Sequence, residues 1–179
     1  KAGKDVYCEK PCCMTIAEAR ALPEAFRSTG RIYQAGTQRR NVPNFVFAVG
    51  LVHGGKLGRL RSVHANTQNP ETRHGWLPAE PLPPRDEVDW DLWLGPCPWR
   101  PFNSQYIRGG WRGNFDFHGG GLLEWGAHTV DLCQWANRSD GTAPVDYEPR
   151  GNDVVATYAN GVRLVMREKG WLGLGTCSI

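Results

Sequence analysis

Residues 5–36 read DVYCEKPCCMTIAEARALPEAFRSTGRIYQAG, and this stretch carries the strongest indication of a fold. The short apolar run at Asp5–Cys8 is typical of a strand in a parallel sheet, and RIYQAG at 31–36 resumes as a second strand. A helical pattern lies between the two runs. The order strand, helix, strand predicts a βαβ unit with a right-handed crossover, at the last edge of a doubly wound domain.

The predicted helix has a clear beginning and a clear end. TIAE at 15–18 is a capping box, in which Thr15 accepts from the backbone N–H of Glu18 and the Glu18 carboxylate reaches back. We expect the helix to run to about Ser28 and Gly30 to close it.

A second domain begins after the next helix. NVPNFVFAVGLVHGGKLG at 41–58 predicts a helix ended by paired glycines, and RLRSVHANT at 59–67 alternates like a strand with one buried face. We therefore divide the chain into a first domain at 1–57 and a second at 58–179.

The second domain contains antiparallel sheet. VVATYANGVRLVMRE at 154–168 is two alternating runs around Asn160 and Gly161. This pair predicts a hairpin with a type I′ turn, because both central residues tolerate positive φ.

Composition limits the classes of partner. The net charge is +3, and the Lys and Arg residues are scattered, which argues against a nucleic-acid partner. No apolar run approaches the roughly 18 residues of a membrane-spanning helix, so we expect no membrane partner. The six cysteines have no zinc-site spacing and favour reduced thiols, with a disulfide framework around Cys12 and Cys13 as the alternative.

Residues 68–110 are rich in Pro, Trp and Asn. Long connections inside compact domains are usually functional or disordered, and the aromatic content favours an ordered loop that lines a site. For most of the eight tryptophans in the chain, packing in the core is the alternative to a binding platform.

Lys10 stands at the carboxyl end of the first predicted strand, where doubly wound sheets place their ligands. Pro11 confines Lys10 to an extended backbone, so that one cation can point into the crevice. A solvated surface charge is the alternative.

GGGLLEWGAHTVDLCQWA at 119–136 predicts a helix with one polar face. At 100° per residue, Glu124, His128, Asp131 and Trp135 lie at about 0°, 40°, 340° and 20°. The rest of the circumference is mostly apolar, so this polar face must meet partners or a ligand. A structural ion pair between Glu124 and His128 is one alternative, and a metal site with a weak ligand pattern is another.

Four stretches in this order closely resemble the Gfo/Idh/MocA oxidoreductases, especially bacterial members with a Trp-rich loop: AGKDVYCEKP, GTQRR, WDLWLGPCPWRPFN and GGGLLEWGAHTVDLCQWA. The resemblance implies an α/β fold, in which the C-terminal edge of a Rossmann-type parallel sheet precedes an α/β domain with an open, largely antiparallel mixed sheet. We expect truncation at both ends, because the sequence opens almost directly in a strand and stops in strand-like sequence. The resemblance supports this expectation at the N-terminal end, because family members carry a Gly-rich dinucleotide loop that this sequence lacks.

The resemblance implies three catalytic residues. Lys10 matches the lysine of the E-K-P motif, which lies beside the nicotinamide and the reacting hydroxyl. His128 matches the catalytic histidine. Glu124 stands where an aspartate is usual, and it would orient the imidazole of His128.

Further positions match sites near the ligands. Asp131 matches a substrate-binding position. The positions near the cofactor are Glu9, Lys10, Gln38, Arg39, Trp111 and Arg112.

The implied activity is hydride transfer between NAD or NADP and a hydroxyl carbon of a sugar, inositol or related polyol. His128 has the near-neutral pKa of a general base, and Lys10 would stabilise negative charge on the oxygen. An NAD-dependent glycosidase or lyase with transient oxidation and a non-catalytic sugar-binding relative are the alternatives. We expect the full-length protein to be a homo-oligomer and the fragment 1–179 to be inactive, and the compartment stays unassigned.

Overall fold

The computed structural model describes residues 2–68, 75–112 and 114–168. The chain forms two compact units, one of residues 1–69 with 121–179 and the other of residues 70–120. The domain boundary at residue 57 stays a prediction.

The first part of the chain is the predicted βαβ unit. Strand β1 (Val6–Cys8) and strand β2 (Tyr33–Ala35) pair in parallel, with Val6 opposite Tyr33 and Cys8 opposite Ala35. Helix α1 (Ile16–Thr29) connects them. The parallel sheet edge that the sequence predicts is therefore confirmed.

The ends of α1 form as the sequence predicts. The Thr15 hydroxyl accepts from the backbone N–H of Glu18 at 3.2 Å, and the Glu18 carboxylate accepts from the N–H of Thr15 at 3.0 Å. These bonds satisfy donors that a helix start otherwise leaves open. Gly30, in the left-handed region with φ 62°, closes the helix one residue after Thr29.

A second sheet follows helix α2 (Pro43–His53). Its strands are β3 (Ser62–Asn66), β4 (Asp146–Arg150), β5 (Asp153–Thr157) and β6 (Arg163–Arg167), in the order β3-β6-β5-β4. β3 pairs with β6 in parallel, and the other two pairings are antiparallel. The open, largely antiparallel mixed sheet is confirmed, and the fold class is α/β.

The core of this unit lies between the sheet and the helix that carries Cys133. Side chains of β3, β5 and β6 pack against Cys133, which is fully buried. The buried sheet residues are Val63, Ala65, Ala156 and Leu164.

The turn between β5 and β6 differs from the type I′ prediction. Gly161 has φ 84°, whereas Asn160 is not among the residues with positive φ. The N–H of Gly161 donates to the carbonyl of Tyr158 at 2.8 Å, and the N–H of Tyr158 donates to the carbonyl of Val162 at 2.9 Å. A three-residue loop with glycine at its left-handed position replaces the two-residue turn, because one positive-φ residue suffices there.

The sequence interpretation missed strand β4. Its five residues are all exposed, and Pro149 lies within it. Proline lacks the N–H that a central strand would donate, but it is compatible with the edge position that β4 holds.

The predicted polar-faced helix is two helices in the structure. Helix α4 (Gly120–Glu124) ends before Trp125, and helix α5 (Gly126–Ala136) begins after it. Trp125 keeps right-handed helical angles, with φ −88° and ψ −35°, and its carbonyl accepts from the N–H groups of His128 and Thr129. The interruption is therefore slight, and the rotation along the chain is nearly that of one helix.

The unit of residues 70–120 has a small aromatic core around helix α3 (Trp90–Leu94) and a kinked turn at Tyr106–Gly110, in which Gly109 has φ 105°. Trp90 stacks on Trp93 with ring centroids 4.8 Å apart. The guanidinium of Arg100 is fully buried and lies 4.3 Å from the ring of Phe117. Several aromatics of the Pro- and Trp-rich loop are thus core residues, and its role as a lining loop stays a prediction.

Two observations concern membranes and thiols. No helix within the described ranges is long and apolar enough to cross a membrane. Cys8, Cys12, Cys13, Cys97 and Cys133 are free thiols, whereas Cys177 and the sequence after Glu168 lie outside the described residues.

Candidate active site

The two sequence stretches that carry Lys10 and Glu124 meet in the structure. Lys10 follows β1, and its Nζ lies 4.0 Å from Oε1 of Glu124, near the end of α4. The two side chains are only 22% and 24% exposed. The peptide between Lys10 and Pro11 is cis. A cation is thus held at the carboxyl end of a parallel strand, where this type of sheet binds ligands.

His128 lies in α5 and is 9% exposed. Its ring meets the ring of Trp125 edge to face at a centroid distance of 6.4 Å. Burial lowers its pKa, and the positive charges of Arg39 and Lys10 lower it further, against the opposing effects of Asp131 and Glu9. At neutral pH the imidazole is therefore uncharged and able to accept a proton.

Glu124 does not orient His128 through Nδ1. That atom is buried and has no hydrogen-bond partner among the residues that the structure describes. The Glu124 carboxylate lies against Lys10 instead. The positions of the two residues on neighbouring helical segments agree with the sequence, but the orienting hydrogen bond to Nδ1 is absent.

Glu9 and Gly36 approach each other closely just after the ends of the paired strands β1 and β2. The backbone N–H of Gly36 donates to the carbonyl of Cys8 at 2.8 Å. A Cβ atom on Gly36 would lie 3.0 Å from Oε2 of Glu9 and 3.1 Å from its Cα. The lack of a side chain at Gly36 therefore allows the backbone immediately before Lys10 to lie this close to the end of β2.

Gln38 and Arg39 lie in a 3-10 turn, Gln38–Asn41, which follows β2. The Arg39 guanidinium lies 5.3 Å from the ring centre of Trp125 and 5.7 Å from that of Phe45. Its charge acts on His128. The turn thus brings Arg39 to the same region as Lys10 and His128, and its role at the cofactor stays a prediction.

Asp131 pairs with an arginine that the sequence interpretation did not single out. Arg40 Nε and Nη2 donate to the two carboxylate oxygens of Asp131 at 2.8 and 2.7 Å. A second carboxylate, that of Asp140, accepts from Nη1 and Nη2 of Arg40. Arg40 thus engages both carboxylate oxygens of Asp131. The substrate-binding role of Asp131 stays a prediction.

Trp111 and Arg112 lie in the unit of residues 70–120. The Arg112 guanidinium stacks over the Trp111 ring at 4.4 Å, and the Trp111 ring meets that of His118 edge to face at 5.2 Å. Their role near the cofactor stays a prediction.

Metal ligands are not gathered in the part of the chain that the structure describes. Within it, no group of three or more His, Cys, Asp or Glu side chains could hold a metal ion.

Comparison with known families gives a match over more than half of the chain. The profile described as "Oxidoreductase family, C-terminal alpha/beta domain", of the Gfo/Idh/MocA group, matches residues 63–167. These residues include the mixed sheet, His128 and Glu124.

Curated relatives are named as inositol dehydrogenases. The chain is 37% identical over 101 residues to an inositol 2-dehydrogenase of Paracoccus denitrificans, and the match covers 52% of this chain and 28% of that protein. It is 33% identical over 98 residues to inositol 2-dehydrogenase 3 of Saccharopolyspora erythraea, and this match covers 52% of this chain and 29% of that protein. The matches thus span less than a third of these relatives' length.

Solved structures share the fold. The WlbA dehydrogenase of Bordetella pertussis, crystallised with NADH and UDP-GlcNAcA, superposes with a TM-score of 0.57 at 18% identity. The superposition covers 92% of this chain and 41% of that one. At this identity the similarity concerns the fold.

Proposed function

The chain belongs to the Gfo/Idh/MocA family of oxidoreductases, and from that premise we propose that the protein containing it transfers hydride between NAD or NADP and a hydroxyl carbon of a sugar, inositol or related polyol. The main support is that Lys10, a partly buried cation after the carboxyl end of a parallel strand, acts electrostatically on His128, a buried imidazole whose pKa is lowered.

The residues suit the oxidation of an alcohol. His128 accepts the hydroxyl proton, and its lowered pKa keeps it unprotonated at neutral pH. Lys10 stabilises the negative charge that grows on the oxygen as the proton leaves, and its partial burial strengthens that effect. Glu124 holds the Lys10 ammonium in place.

The same residues fit a nicotinamide cofactor. The close approach at Gly36 leaves little room for a side chain and keeps Glu9 near the end of β2, and the charge of Arg39 acts on His128. We assign Glu9, Lys10, Gln38 and Arg39 to this cofactor side. When bound, the nicotinamide supplies the acceptor for the hydride that leaves the alcohol carbon.

The names of the relatives support the proposed substrate class. The two characterised proteins named above are inositol 2-dehydrogenases. A polyol or sugar with several hydroxyl groups is therefore the first class of substrate to test.

The test uses the full-length protein that contains this chain. Inositols, sugars and sugar acids are supplied with NAD or NADP, while nicotinamide absorbance and product are followed together. Growth of the reduced-nicotinamide signal in step with product supports net oxidation. Product without that signal would identify redox-assisted elimination or glycoside cleavage instead. Binding of sugar without any product would identify a non-catalytic relative.

Lys10→Ala is the matched variant for this test. Because it removes a charge interaction that strengthens in the transition state, we expect turnover to fall by about 10²-fold or more, with a smaller change in cofactor affinity. Lys56→Ala, in an exposed position after α2, is the control.

A further inference from the structure

We propose that Arg40 is a positioning residue for the general base: by clamping Asp131, it holds α5 so that His128 stays beside Lys10. This inference rests on the proposed function, because it concerns the same histidine. The Arg40–Asp131 pair is called the clamp below.

Arg40 makes several hydrogen bonds in and around the clamp. Arg40 donates four hydrogen bonds of 2.7 to 2.9 Å, two to Asp131 and two to Asp140. Its Cζ also lies 5.6 Å from the ring centre of Trp135, one turn further along α5. Two-pronged arginine–carboxylate pairs fix direction as well as distance. The guanidinium therefore sets both the position and the rotation of α5 at Asp131.

The clamp connects the two parts of the site. Arg40 lies in the 3-10 turn directly after Arg39, and Asp131 lies three residues after His128 in α5. The side chains of Arg40 and Asp131 are only 27% and 18% exposed, so solvent screens this pair less than a surface ion pair. A shift of α5 against the turn would move His128 away from Lys10 and Arg39.

The clamp also acts on the charge around His128. The charged groups that act on its imidazole are Arg39 in the turn, Lys10 and Glu9 after β1, and Asp131 in α5. Asp131 favours the protonated imidazole, and Arg40 neutralises that carboxylate at hydrogen-bond distance. Loss of Arg40 would leave Asp131 uncompensated and raise the pKa of His128.

The clamp gives Asp131 a different role from the one that its sequence position suggests. Both of its oxygens are occupied by Arg40. Asp131 therefore acts as an anchor for α5, and no direct substrate contact is required of it.

The experiment compares Arg40→Gln, Arg40→Lys, Asp131→Asn and the double variant Arg40→Gln/Asp131→Asn in the full-length protein. For Arg40→Gln we expect kcat to fall by about 10- to 100-fold, as small misplacements in active sites do, with little change in the KM of the alcohol. In Arg40→Gln, the decline of kcat/KM at low pH, which is the acid limb of the pH profile, should move to higher pH. Arg40→Lys keeps the charge and loses the planar two-pronged geometry, so kcat should fall while the acid limb stays in place.

The double variant separates charge from geometry. With Asp131 neutral, the acid limb should return to the wild-type pH, whereas kcat should stay low. Arg150→Gln, which removes an exposed arginine–carboxylate pair in β4, is the control and should change neither quantity.

A second measurement does not depend on activity. NMR titration of the His128 imidazole should show its pKa raised in Arg40→Gln and restored in the double variant. If the wild-type protein turns over no alcohol, the proposed function fails, and this titration still tests the clamp. An unchanged titration and an unchanged kcat in Arg40→Gln would overturn it. So would a rise in KM alone in Asp131→Asn, because that result would make Asp131 a substrate ligand.

Discussion

At the scale of single residues, the environment of His128 determines its chemistry. Histidine ordinarily titrates near pH 6.5, in the middle of the physiological range. Burial comes first among the causes that lower the pKa of His128, and two cations come next. Protonation of a buried imidazole between cations is costly, so the neutral base persists to lower pH than in a free histidine.

His128→Ala should therefore lower kcat by about 10² to 10⁴, the usual contribution of a positioned acid or base. In the wild-type protein, kcat/KM should fall as pH decreases through the lowered pKa of His128, below about 6.5, and stay level above it. Steady-state kinetics across pH measure both effects. His64→Gln, in β3, is the control, and an equal loss in both variants would contradict the assignment.

Glu124→Gln tests which neighbour this carboxylate serves. Because Glu124 lies against Lys10 and leaves Nδ1 of His128 without a partner, we expect turnover to fall while the acid limb of the pH profile stays in place. Kinetics on the full-length protein measure this. A shift of that limb to lower pH would show instead that Glu124 stabilises the protonated imidazole.

At the scale of elements, the close approach between the ends of the paired strands β1 and β2 constrains the path of the chain that leads into Lys10. Backbone atoms of Cys8 and Glu9 lie within 3.2 Å of the place where a Cβ on Gly36 would be. Backbone of a paired strand cannot yield as a flexible side chain can. We therefore expect the backbone around Lys10 to require a residue without a side chain at position 36.

Gly36→Ala should displace the Glu9–Lys10 backbone, destabilise the protein by about 1–3 kcal/mol and lower kcat/KM by about 10-fold or more. Thermal denaturation and kinetics measure the two effects. Gly50→Ala is the matched control: Gly50 is exposed within α2 and no atom lies within 4 Å of the added Cβ. That variant should stabilise the protein by about 0.5–1 kcal/mol. Equal changes in thermal stability and kcat/KM in the two variants would contradict a tight backbone contact at Gly36.

At the scale of the whole molecule, the chain matches only part of the length of its relatives. The matched region is less than a third of the curated inositol dehydrogenases. Within residues 1–179 no G-x-G-x-x-G turn occurs, and dinucleotide binding in Rossmann domains depends on that turn and the helix N-terminus after it. The homo-oligomer expected for the full-length protein stays a prediction.

Residues 1–179 alone should therefore bind NAD and NADP only weakly, whereas the full-length protein should bind one of them. Titration calorimetry on both proteins measures the difference. Micromolar binding by residues 1–179 would show that this part suffices for the cofactor and that the glycine-rich turn is dispensable.

Local sequence determined the elements whose interactions lie within a few residues. The capping box of Thr15 and Glu18, the glycine that ends α1 and the parallel βαβ order all follow from short-range hydrogen bonds and backbone preferences. Rotation along a helix can be counted from sequence, so the spacing of Glu124 and His128 predicts a common face. The roles of these two residues and of Lys10 stay predictions.

Tertiary structure alone decided which side chains meet across long separations. Arg40 and Asp131 are 91 residues apart, and nothing local distinguishes Arg40 from Arg39 beside it. The same holds for Glu124, which lies against Lys10 rather than bonding Nδ1 of His128. The Arg40–Asp131 pair depends on where the packing of α5 against α2 and β3 places the carboxylate. That packing is a property of the folded chain, and residue spacing contains no measure of it.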